Sequence, residues 1–143
     1  MRLIVFIALL VIALGPVSAQ SAEMTVYKSP YCGCCGKWVE HMQSAGHLVK
    51  IVNTEDMDSV KHIMGVPEPL HSCHTAMVDG YLIEGHVPAA DIDRLLRERP
   101  KAKGLAVPGM PSGSPGMEMP GTPADNYDVI LFNEKSGSVF TRY

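Results

Sequence analysis

From residue 23 the chain alternates in period two through Glu23-Met24-Thr25-Val26-Tyr27-Lys28, which predicts a first β-strand closed by Ser29-Pro30. The period then lengthens: Trp38, Val39, Met42 and Ala45 recur at helical spacing, predicting a helix over Gly36 to Ala45 that stops at Gly46. Leu48-Val49-Lys50-Ile51-Val52 predicts a second strand, and a strand–helix–strand crossover makes the first two strands parallel. Asp58 or Ser59 can cap a short helix from Val60 to Met64, ended by Gly65, Pro67 and Pro69. Thr75-Ala76-Met77-Val78 and Tyr81-Leu82-Ile83-Glu84-Gly85 flank Asp79-Gly80, a strong hairpin signal. Pro88 opens a further helix, Ala89 to Arg97, with Ile92, Leu95 and Leu96 facing inward.

The resulting order, β-α-β-α-β-β-α, is that of a thioredoxin-like fold: an α/β domain with a mixed sheet and flanking helices. Beyond Pro100 the composition shifts. Residues 107–121 are rich in Pro, Gly and Ser, carry Met110, Met117 and Met119, and predict an extended loop. Tyr127 to Phe132 and Ser138 to Thr141 read as a closing hairpin, and because a lone hairpin is rarely stable in water it must pack on the domain or extend the sheet. The expected organisation is a leader over 1–19, a thioredoxin-like domain over 23–100, a Met/Pro/Gly-rich loop over 101–126 and a hairpin over 127–143, with no internal repeat.

The leader has the pattern of a secretory signal: Arg2, an apolar run from Leu3 to Leu14, then Gly15-Pro16 and the small-residue site Val17-Ser18-Ala19. The run is too short to span a bilayer and nothing after it could, so the expectation is export, cleavage near Ala19 and no membrane attachment afterwards. Of 12 basic and 15 acidic residues only Arg2 lies in the leader, so its removal moves the formal charge from −3 to −4. A net acidic chain argues against nucleic acid as a partner.

Export puts the 4 cysteines in an oxidising compartment, where disulfides are the default. Their spacing resists a stapling role, since Cys32, Cys34 and Cys35 fall within four positions and bridges among them would close very short loops. They lie where a strand hands over to a helix N-terminus, whose unpartnered N–H groups and positive dipole end favour thiolate. Cys32 and Cys35 have the C-x-x-C spacing of a dithiol redox pair, and Cys34 adds a sulfur that such a pair does not need. In this topology the loop entering the third strand lies against the motif, which would bring Cys73 and His74 beside it. Four crowded thiolates repel, so the site must take up protons, form disulfides or bind cations. Sulfur-rich surroundings favour Cu(I), with Zn(II) and an iron–sulfur cluster as competitors.

Thioethers bind Cu(I) and are poor zinc ligands, which makes Met110, Met117 and Met119, set among Pro and Gly, candidate auxiliary ligands. Met42, Met64 and Met77 lie on periodic faces and read as core. His74 adjoins Cys73 and is a candidate ligand or orienting group. His71 would share the face of Cys73 on an extended strand. His41 points along the helix away from the thiols, to solvent or behind the ligands. His47, His62 and His86 have no cysteine near them in sequence and read as surface positions. Trp38 reads as packed under the motif and Lys37 as a solvated first-turn residue.

Four stretches in order carry a family resemblance: Tyr31-Cys32-Gly33-Cys34-Cys35-Gly36-Lys37-Trp38, Leu70-His71-Ser72-Cys73-His74-Thr75-Ala76, Tyr81 through Pro88, and Gly104 through Pro111 with Gly113 through Glu118. In these the chain resembles the CopG-like exported copper-resistance proteins. The resemblance implies a thioredoxin-like periplasmic protein of bacterial copper resistance, with Cys32, Cys34, Cys35 and Cys73 as copper thiolates, a multinuclear cluster and a part in Cu(I)/Cu(II) interconversion. Copper ions are the implied cargo, with other periplasmic copper-handling proteins or a redox partner beside them. Two other readings stay open: a thiol–disulfide oxidoreductase with Cys32 attacking and Cys35 resolving, and a disulfide-stabilised domain without activity.

Overall fold

A computed structural model describes residues 22–143; the expected leader at 1–19 lies outside them. In chain order the elements are β1 (Glu23–Lys28), α1 (Gly33–Ser44), β2 (Leu48–Asn53), α2 (Met57–Met64), a 3-10 turn (Glu68–Leu70), β3 (Thr75–Val78), β4 (Tyr81–Glu84), α3 (Ala89–Glu98), β5 (Gly104–Ala106), β6 (Asp128–Phe132) and β7 (Gly137–Arg142). The seven strands form one mixed sheet in the order β2-β1-β3-β4-β5-β6-β7. β1 pairs with β2 in parallel and with β3 antiparallel, and β4 pairs with β5 in parallel across α3. Among the described residues no helix is long and apolar enough to cross a membrane.

The core lies where the inward positions of the sheet meet the apolar faces of α1 and α3. Met24 and Val26 of β1, Ala76, Val78 and Ile83 of the central hairpin, Trp38, Val39 and Met42 of α1, and Ile92 and Leu95 of α3 form one cluster. Each of the valine, leucine, isoleucine and methionine side chains among them contributes roughly 1.5–3 kcal/mol when buried. A smaller cluster of Val66, Leu82, Ala106 and Phe132 forms separately. Leu82 and Ile83 are successive residues of one strand and so point to opposite faces, which makes β4 a two-sided element. Asp79 and Gly80 turn the hairpin with φ of 52° and 85°, the left-handed pair that a tight two-residue connection requires.

Several boundaries differ from the sequence reading. α1 begins three residues earlier than Gly36, because the Cys32 sulfur accepts the Cys35 N–H at 3.3 Å and serves as the cap. A cysteine sulfur is not among the usual capping groups, and Gly33 and Gly36 lower the helical signal. α2 starts at Met57, capped by Asp56, whose carboxylate accepts the Ser59 N–H at 3.0 Å. Three-residue β5 was not anticipated; Gly104 lets it lie against β4, since a Cβ there would run into the Leu82 carbonyl oxygen. Met77, expected in the core, is 42% exposed on the outer side of β3.

The segment expected to be extended instead folds back in turns, with Val107 and Ser114 fully buried. β6 and β7 extend the sheet through β5. β7 is also tied to α3, where Arg94 stacks 3.5 Å over the Phe140 ring and donates to its carbonyl at 3.0 Å. The Tyr143 hydroxyl donates to buried Asp91 Oδ2 at 2.7 Å.

Candidate metal centre

The first turn of α1 presents three sulfurs. Cys32 and Cys35 lie three apart on the turn, the neighbouring positions of a helix face, and they are joined as a disulfide with a Cα–Cα distance of 5.3 Å. The expectation that the spacing resists bridging is therefore corrected for this pair: one helical turn already supplies the separation a disulfide needs. Cys34 and Cys73 are free. Cys34 Sγ lies 3.4 Å from Cys32 Sγ and 4.0 Å from Cys73 Sγ, so the downstream thiol does return to the motif. The four sulfurs all lie within 4.8 Å of one another.

Cys73 is held by the end of β3, and His86 by the residues that follow β4. The hairpin register pairs Thr75 with Glu84. Continued two residues outward, that register sets Cys73 opposite His86, and Nε2 of the imidazole stands 2.8 Å from Sγ. His86 Nδ1 is 2.8 Å from the Pro115 carbonyl oxygen. A carbonyl can only accept, so Nδ1 carries the proton and Nε2 is left to accept from the thiol. Burial, and secondly the neighbouring Cys34, push the Cys73 thiol up to about 11, while burial pushes the His86 imidazole down. Both shifts favour the neutral pair, S–H donating to N.

His86 is fully buried, which overturns its reading as a surface residue. His47 is also buried, its Nε2 3.0 Å from Asp93 Oδ1, whereas His62 is exposed. His74 is fully buried between Trp38, with ring centroids 4.4 Å apart, and His86, at 5.0 Å edge-on. Neither of its ring nitrogens has a hydrogen-bond partner, and burial drives it well below the usual imidazole range. The ligand atoms of Cys73, His74 and His86 lie within 4.8 Å of one another, a mixed sulfur and nitrogen set beside the sulfur set. His71 does not share a strand face with Cys73; its Nε2 pairs with the Val66 carbonyl at 3.1 Å. His41 Nε2 accepts the Ala89 N–H at 3.3 Å, at the start of α3. Trp38 is buried beneath the motif and donates to the Val87 carbonyl at 2.9 Å, and Lys37 is exposed.

The methionine-bearing loop covers the first turn of α1. Gly116, at φ +88°, lies so close that a Cβ would stand 2.8 Å from the Cys34 carbonyl oxygen and 2.9 Å from the Trp38 nitrogen. Its N–H donates to Glu118 Oε2 at 2.7 Å, closing the loop on itself. Met117, next in the chain, is partly buried, while Met110 and Met119 are more than half exposed.

Known proteins add to this geometry. Residues 70–117, which include Cys73, His74, His86 and Met117, match a family model described as "Protein of unknown function, DUF411". No curated protein sequence matches the chain. A solved structure described as copper resistance protein CopG, Form 2, is 44% identical over 87% of this chain and 99% of its own, with a TM-score of 0.81. Form 1 is 45% identical over 87% of this chain and 98% of its own, at 0.80. The chain belongs to the CopG family. At that coverage and TM-score the likeness to CopG is one of the fold as a whole.

Proposed function

We propose that the protein binds copper through Cys32, Cys34, Cys35 and Cys73 and handles it as Cu(I) after export to the periplasm. The observation that carries this reading is the convergence of four sulfurs, with an imidazole against one of them. Thiolates in such number select soft cations. His74, His86 and Met117 are proposed as further donors, with exposed Met119 as a thioether at the rim. The bridged form offers two free thiols; opening the bridge takes two electrons and two protons and restores four. Imidazole beside thiolate also suits Cu(II), so a change of oxidation state at this centre, with an electron partner, belongs to the same proposal. The test is anaerobic Cu(I) titration of reduced protein with X-ray absorption at the copper edge. Sulfur-dominated ligation with loss of free thiol titre is expected, and reduced protein that takes up no Cu(I) refutes the proposal.

The second reading, a thiol–disulfide oxidoreductase, has its own observation in the Cys32–Cys35 bridge at a helix N-terminus. It predicts insulin disulfide reduction that survives Cys34→Ser and is abolished by Cys32→Ser.

A further inference from the structure

Beneath the cysteine loop lies an ion pair that the site described so far does not use. Glu84, the last residue of β4, is fully buried and Lys61 of α2 is only 3% exposed. Glu84 Oε1 is 2.5 Å from Lys61 Nζ, and Glu84 Oε2 accepts the Thr75 hydroxyl at 2.6 Å. Thr75 Oγ1 in turn accepts from Lys61 Nζ at 3.0 Å. Replacing such a pair with packed apolar groups is often neutral or stabilising, so stability alone is a weak reason for it.

Its third partner is the informative one. Glu84 Oε1 also accepts the backbone N–H of Ser72 at 2.7 Å. Ser72 precedes β3, so its N–H has no partner in the sheet ladder. A carboxylate is a strong acceptor for such a donor. The next residue, Gly85 at φ +73°, leaves room for this approach, since a Cβ there would overlap the Ser72 side chain and come within 2.7 Å of the Val107 carbonyl oxygen. From the other side the Ser72 hydroxyl donates to the Gly109 carbonyl, and Gly109 N–H donates to the His71 carbonyl at 3.2 Å. Residues 71–73 are thus clamped between a buried carboxylate and the start of the methionine loop.

We propose that Glu84, charge-balanced by Lys61, is the positioning residue of the copper site: it fixes the Ser72–Cys73 backbone so that the Cys73 thiol faces Cys34 and His86. This rests on the copper reading above. The groups that orient metal ligands are worth about tenfold to a hundredfold in affinity when lost.

The test compares two charge-neutral double variants, so that neither leaves a buried charge unpaired. Lys61→Met/Glu84→Gln keeps an acceptor for Ser72 N–H; Lys61→Met/Glu84→Leu does not. Cu(I) affinity is measured on reduced protein by competition with bicinchoninate. Iodoacetamide alkylation of Cys73 is measured on bridged protein in a Cys34→Ser background, where Cys73 is the single free thiol. The expected result is parental affinity and alkylation rate for the Gln pair, and for the Leu pair affinity weaker by about tenfold to a hundredfold with faster alkylation. A merely structural role would change melting temperature in both pairs and leave them alike in affinity and alkylation, which would overturn the proposal. A parent that binds no Cu(I) refutes the copper reading instead, and the alkylation rates then decide the positioning on their own.

Discussion

Cys73 and His86 meet sulfur to nitrogen at 2.8 Å, although 13 residues separate them along the chain. The thiol is raised by burial first and by Cys34 second, to about 11. Alkylation of Cys73 in the bridged protein is therefore expected to follow a titration with a midpoint near that value. Cys34→Ser, which removes the second cause, is expected to bring the midpoint down.

The same shift sets a stability trend. A thiol that ionises at 9.0 in ordinary surroundings and at about 11 when folded keeps its proton longer in the folded state. Between those values the unfolded chain has released more protons, so stability falls with rising pH; below 9.0 the contribution is fully present. Tyr127 and Tyr143 are also raised, chiefly by burial, and act in the same direction. Urea denaturation at pH 8 and pH 10.5 is expected to show a smaller pH-dependent loss for Cys73→Ala than for the parent.

Cys34 sits between the bridge and Cys73, 3.4 Å from Cys32 and 4.0 Å from Cys73. If the centre holds Cu(I), Cys34→Ser removes the sulfur that links the two halves. Bicinchoninate competition is expected to show affinity lowered by about a hundredfold or more, above the effect of losing an orienting group. Unchanged affinity would sink the four-sulfur assignment.

Gly116 and Gly121 separate close packing from backbone strain. Both have positive φ, +88° and +78°, but a Cβ at Gly116 meets the backbone of α1, whereas one at Gly121 meets nothing within 4 Å. Gly121→Ala is expected to cost about 1 kcal/mol, from the left-handed backbone alone. Gly116→Ala is expected to cost about 2–3 kcal/mol and to release the Pro115 carbonyl from His86, read as a shift of the His86 imidazole resonances.

The Tyr143 hydroxyl donates to buried Asp91 at 2.7 Å. Tyr143→Phe leaves that carboxylate short of a donor, and a loss of about 1–3 kcal/mol is expected from the urea midpoint. Asp91→Asn, combined with it, is expected to cost less than the sum of the two single changes.

The α/β class and the mixed sheet were legible because the pattern carries them: period two in β1, a short apolar β-branched run in β2, and a period near 3.6 in α1 and α3. β5 was not, since three residues show no period and its pairing is allowed by a missing Cβ at Gly104. Cysteine spacing exposed the trio, and the strand order exposed the return of Cys73. His86 is hidden from cysteine spacing because no cysteine lies near it along the chain. The signal was present in Asp79-Gly80: a two-residue turn fixes the register, and counting outward from it sets Cys73 opposite His86. Glu84 and Lys61 escaped for the opposite reason, as charged residues at positions where the pattern predicts exposure, buried because each neutralises the other.

The short run Gly104–Ala106 hydrogen-bonds to β4 on one side and β6 on the other. The ladder of the hairpin at the end of the chain is therefore continuous with the strand that carries Glu84. Loosening the last residues would travel, strand by strand, toward the floor beneath Cys73, and a clipped carboxyl terminus should announce itself in hydrogen exchange first in β6, then in β5, and last at Leu82 and Ile83 of β4.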